Sequence, residues 1–175
     1  MNKFGTLGVI LSSIIILLIQ ALVLKDMVLY GSAFCFFYIL LFLILPIEIN
    51  PLVQIAIGFA AGLFIDSFYN TQGVHASAST FIMFVRPYWI NILSPGSGYG
   101  ATIRINLRTQ RLQWFLTYAY PLILFHSLIL FTVEVFEFVD YWSTVKKAFY
   151  SSLFTLTIVV IVQYLFYNNS KSQGS

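Results

Sequence analysis

Polar breaks divide the chain into apolar runs of about 18 to 22 residues, each long enough to cross a hydrocarbon core of roughly 30 Å as a helix. The breaks fall at Lys25-Asp26, at Pro46 to Pro51, at Tyr69 to Gly73, across Ser94 to Leu112 and across Glu134 to Lys147. Six spans result, at 7–24, 28–45, 51–68, 74–93, 113–133 and 148–167. The pattern predicts an all-α integral membrane protein, with residues 1–175 forming one transmembrane bundle. The first three connections are short enough to make consecutive helices antiparallel neighbours. The first run follows Lys3, as the apolar part of a signal peptide would follow a basic residue. It is longer than a usual h-region and runs into Leu22-Val23-Leu24-Lys25 without a small-residue cleavage site, so a retained helix is expected.

Composition agrees with that pattern. Hydrophobic residues make up 59% of the chain and charged residues 9%, against about 25% charged in soluble domains. Mean hydropathy is +0.89. A chain of 175 residues carrying six spans has no room for a soluble catalytic domain, so function is expected within the bilayer or at its surfaces. The single Cys35 can form neither an internal disulfide nor a cysteine-based zinc cage, and its place in an apolar run predicts a packing role. Neither paired-histidine metal spacing nor a glycine-rich phosphate loop occurs, and no cofactor or metal is expected.

The charges mainly report topology. Net charge is +3, but the basic residues are scattered at the ends of apolar runs rather than gathered on one face, which argues against a nucleic-acid partner. Arg104, Arg108 and Arg111 share one connection and mark it as cytoplasmic by the positive-inside rule. Both termini then fall on the cytoplasmic side, and the connection from Glu134 to Lys147 faces out. The three arginines can meet anionic lipid or an acidic partner face at about 1 kcal/mol each near the surface, or can act only as solvated topology determinants. Tyr88, Trp89, Trp114, Tyr141, Trp142, Tyr164 and Tyr167 fall at the expected interfaces.

The third and fourth runs carry the candidate chemistry. Gln54, Gly58, Gly62 and Asp66 recur every four residues and form one helix stripe. Gly58 to Gly62 is a GxxxG pattern, which admits a close helix crossing from a partner or simply fills a crowded interior. Asp66 is a carboxylate in a transmembrane run, a placement costing about 2.5 to 3.5 kcal/mol at the helix centre, and it needs a partner or a wet position. His75 opens the next helix after a tight turn, so Asp66 and His75 are expected to form a structural polar pair. A catalytic use would need a nucleophile, for which only Ser67 and Ser77 are at hand, without oxyanion donors. Arg86 lies about 16 Å along the fourth helix from His75, at about 1.5 Å per residue. Its stem can snorkel to the cytoplasmic headgroups, or its charge can meet an anion or substrate in a cavity. Farther on, His126-Ser127 suggests a buried polar contact, and Ser151, Ser152, Thr155 and Gln163 suggest interhelical hydrogen bonds.

The segment from Ile57 to Asp66, followed by Asn70-Thr71-Gln72-Gly73-Val74-His75-Ala76, resembles the signature of the rod shape-determining protein MreD family. Phe84-Val85-Arg86-Pro87-Tyr88, Leu93-Ser94-Pro95 with Gly98-Tyr99, Trp114-Phe115-Leu116 and Leu153-Phe154-Thr155-Leu156 resemble the form of this family found in Bacteroidetes. The likeness covers nearly the whole chain. It implies a non-enzymatic, multi-pass component of the bacterial inner membrane, part of the cell-elongation complex that builds peptidoglycan. The implied partners are MreC, MreB filaments, RodA and its partner transpeptidase, and membrane lipids. The family is also similar in helix arrangement to the small-molecule-binding S components of energy-coupling-factor transporters. That alternative would require a polar cavity near Asp66, His75 and Arg86.

Overall fold

The computed structural model describes residues 3–93, 112–135 and 141–165, with side chains from Leu11 onward. Among these residues are six helices and one hairpin: α1 (Lys3–Leu22), β1 (Val28–Leu29), β2 (Ala33–Phe34), α2 (Ile39–Leu43), α3 (Pro51–Tyr69), α4 (Val74–Leu93), α5 (Leu112–Val135) and α6 (Tyr141–Leu165). The chain is predominantly helical, and α3, α5 and α6 are long and apolar enough to cross a membrane. α4 has 20 residues but is interrupted by His75, three hydroxyl residues, Arg86 and Pro87. α1 has 20 residues, and its segment Leu11–Leu22 is apolar.

Among the described residues the expected six spans are not all formed, and the clearest departure is the second run. Residues 28–45 are not a helix. Tyr30 and Gly31 take positive φ (50° and 67°) and turn the chain into an antiparallel hairpin with Val28 opposite Phe34 and Leu29 opposite Ala33. Irregular backbone then leads into the five-residue α2. Every residue from Cys35 to Leu43 is buried. A stretch that is apolar on all sides signals burial on all sides, and neighbouring helices satisfy that as well as lipid does. This is why the run reads as a span and folds as an internal strap.

The other helices run in chain order around the strap. α3 lies against α4, α4 against α5 and α5 against α6, while α6 closes onto β2 and α1 onto α3. The α3–α4 hairpin is the tightest joint. Asn50 caps α3 by accepting from the Leu52 amide at 2.9 Å, and Pro51 fills the first helical position. Asn70 ends the helix in the left-handed region (φ 54°). Helices α4 and α5 continue through Pro87 and Pro121.

Gly58 and Gly62 set the α3–α4 separation. A Cβ at Gly62 would lie 2.6 Å from the Ala76 amide nitrogen and 2.7 Å from the His75 carbonyl oxygen, both backbone. At Gly58 the nearest atom would be Met83 Cγ at 2.6 Å, the end of a flexible side chain, with the Ser79 carbonyl oxygen at 2.9 Å. Gly62→Ala is expected to lower stability by about 1–3 kcal/mol through overpacking, and Gly58→Ala by less, because Met83 can turn aside. Thermal unfolding of the two variants in detergent checks the order.

Candidate functional site

All four residues of the α3 stripe are buried, and α4 of the same chain covers them. The stripe is thus an internal packing face and is not open to a partner. Asp66 stands at its end, and its carboxylate reaches across to the start of α4. Oδ1 accepts from the His75 amide at 3.0 Å and from the Thr71 hydroxyl, and Oδ2 accepts from the Ala76 amide at 2.9 Å. The first amides of a helix lack intrahelical partners and carry the positive end of its dipole, so a carboxylate is well matched there. Asp66 does pair with His75, but through the backbone N–H. The imidazole turns inward.

There it meets Tyr38, from the strap. Tyr38 Oη lies 3.1 Å from His75 Nδ1 and 2.6 Å from His126 Nε2 on α5, and Ser79 Oγ donates to it at 3.4 Å. Aromatic rings enclose this cluster: Tyr69 and Phe36 lie 4.8 and 5.9 Å from the His75 ring, and Phe36 lies 5.6 Å from His126. Gln20 of α1 supports the same level. Its amide nitrogen donates to Cys35 O at 3.0 Å and to Tyr69 Oη at 2.7 Å, and its oxygen accepts from the Tyr38 amide at 3.2 Å.

Arg86 anchors the strap's other end. Its side chain is fully buried and does not snorkel to the surface. Nε donates to Tyr118 Oη at 2.8 Å, Nη1 to Gln54 Oε1 at 2.8 Å and Nη2 to the Leu45 carbonyl. Tyr118 in turn donates to the Leu43 carbonyl at 3.1 Å, and Gln54 to the Ile49 carbonyl at 2.7 Å. The guanidinium finds neutral oxygen acceptors at three of its corners, where snorkelling would have exposed it to headgroups. Buried Met83 and Ile82, together with Phe42, form an apolar layer between this level and the Tyr38 cluster.

Arg104, Arg108 and Arg111 lie outside the described residues. Ser151 and Thr155 hydrogen-bond the strap rather than another helix: Ser151 Oγ accepts from the Phe34 amide and Thr155 Oγ1 from the Phe36 amide, both at 2.9 Å. Ser67 and Ser77 donate to the Leu63 and Val74 carbonyls of their own helices, so neither is presented to an imidazole. Tyr38, Gln20 and Tyr118 went unmarked in the sequence. A lone amide in an apolar helix was the available signal for Gln20, but tyrosines are common enough in this chain to hide the other two. On the outer side of the α3–α4 hairpin lies an open groove of about 620 Å³, lined by Phe59, Leu63, Ala76, Phe81 and Phe84 among others.

Comparison with family models, curated proteins and solved structures finds no match for the chain.

Asp66→Asn replaces one acceptor by a donor facing backbone N–H groups, and is expected to cost about 1–3 kcal/mol and to fray the start of α4. Amide exchange at His75 and Ala76 checks this. Arg86→Lys leaves at least one of Gln54, Tyr118 and Leu45 unpaired, because an ammonium lacks the planar fork. A loss of roughly 1.5–3 kcal/mol is expected, with no rescue relative to Arg86→Met in thermal unfolding.

Proposed function

We propose that the protein is a non-enzymatic membrane scaffold that binds other membrane helices, as the resemblance to the MreD family implies. In this reading it is a multi-pass component of the bacterial inner membrane with both termini cytoplasmic. It serves the cell-elongation complex through MreC, MreB filaments, RodA and its partner transpeptidase. Arg104, Arg108 and Arg111 then face anionic lipid or an acidic partner surface. One observation supports this above the others: the polar groups that the sequence marks for chemistry, Asp66, His75 and Arg86, are all engaged by the chain itself.

The transporter-type alternative needs a polar cavity at those three residues. That interior is taken up by Cys35 to Leu45, which are buried almost throughout, and this favours the scaffold. Surfaces for partners therefore lie on the outside, where α1 exposes Leu11, Ile14, Ile15 and Leu18 and the α3–α4 groove exposes Phe59 and Phe84.

Photocrosslinking in the native membrane from Phe59, Phe84, Ile14 and Leu18, with mass-spectrometric identification, tests the reading. Capture of MreC or RodA is expected from at least one face. Capture of lipid alone from both faces, with a small molecule co-purifying with the protein, would replace the scaffold by the transporter-type subunit.

A further inference from the structure

Both histidines of the chain meet on one hydroxyl. Tyr38 carries a single proton, so it can donate to one imidazole only, and the other must donate to it. With Ser79 donating as well, the neutral cluster closes at every one of these contacts. One atom is left over: His126 Nδ1 is buried and has no hydrogen-bond partner. The cluster also ties three separate pieces of chain together, namely the strap, α4 and α5.

We propose that Tyr38, His75 and His126 form a proton-binding site that latches the strap to α4 and α5. A proton taken from water by the accepting imidazole converts that nitrogen into a donor. Tyr38 Oη then receives two N–H bonds and must turn its own proton toward Ser79, whose hydroxyl must swing to a helix carbonyl. The charge gained lies in a buried site and has one carboxylate near it, Asp66. On α3, the Asp66 carboxylate attracts an imidazolium but is hydrogen-bonded to Thr71 and the α4 amides rather than to either ring, and Tyr69 is neutral. On α1, Gln20 is neutral and spent on the strap. On α5, the Ser127 hydroxyl donates to the Ile123 carbonyl. At the same end Lys25 lies 5.8 Å from the Tyr69 ring centre with Asp26 next to it in the chain, and Lys147 of α6 lies 4.8 Å from the rings of both Phe34 and Phe131. Because the added charge is buried and the extra N–H crowds Tyr38 Oη with donors, acidification favours withdrawal of Tyr38, and the strap moves with it.

Because the chain has two histidines, imidazole nitrogen NMR of the full-length, histidine-labelled protein in nanodiscs reads the site directly. At about pH 7.5 two neutral rings are expected. As pH falls from about 6.5, the value for a free imidazole, toward about 4, both rings should change together, with at least about a tenfold loss of protection at the Tyr38 to Leu43 amides after correction for intrinsic exchange. In His126→Gln the protection should persist and lose its pH dependence. Two rings that titrate independently in the native protein would overturn the proposal. So would strap protection that ignores pH, or that responds to pH equally in His126→Gln.

Discussion

Backbone polar groups at bilayer depth must be satisfied within the protein, because hydrocarbon offers neither donors nor acceptors. Helices meet that demand by themselves. The strap from Phe34 to Leu45 does not, since it contains one short helix and otherwise irregular chain. Some of its amides and carbonyls pair within the strap, as in Ile39 to Phe36 and Leu41 to Tyr38, and others are met by Ser151, Thr155, Gln20, Tyr118 and Arg86, drawn from α1, α4, α5 and α6. The arrangement of the bundle follows from this requirement. Each of those helices must stand at the distance its side chain can reach, so the strap acts as the common reference for the elements around it.

The two ends of the strap are held in different ways. At the Tyr38 end, one hydroxyl donates to one imidazole and accepts from the other and from Ser79, within a shell of aromatic rings. At the Leu45 end a guanidinium binds uncharged oxygens, a use for which arginine's planar fork and persistent charge suit it. Placing an unneutralised cation in the interior is costly, and the three short contacts to Gln54, Tyr118 and Leu45 offset part of that cost. Asp66 contributes from outside the strap. By capping α4 it fixes where His75 begins, and through His75 it sets the height at which Tyr38 is held.

Much of the helical layout was legible in the sequence. The α3 stripe, the tight turn at Asn70 to Gly73 and the boundaries of α3 and α4 follow from spacing, capping residues and glycine, all of which act locally. The second run was misread for a physical reason: hydropathy measures the wish to leave water and does not distinguish lipid from protein as the destination. Tyr30-Gly31 was the local sign of a turn, but it lies near the start of a run whose length satisfied the span criterion. The roles of Tyr38 and Tyr118 depend on partners 37 or more positions away in the chain for Tyr38 and 32 or more for Tyr118. No pattern within one helix encodes such contacts. Arg86 was recognised as an intramembrane charge, yet its acceptors include a backbone carbonyl of the strap, which no reading of side chains would supply.

The central claim is that residues 35–43 are enclosed by protein on all sides. A spin-label scan across positions 30 to 45, with Cys35 replaced by Ser outside its own test position, measures contact with lipid-dissolved oxygen residue by residue. The account predicts uniformly low accessibility from 35 to 43, rising only toward the hairpin tip, where Tyr30 is 95% exposed. Accessibility oscillating with a period of about 3.6 residues would show a lipid-facing helix instead, and would contradict the account.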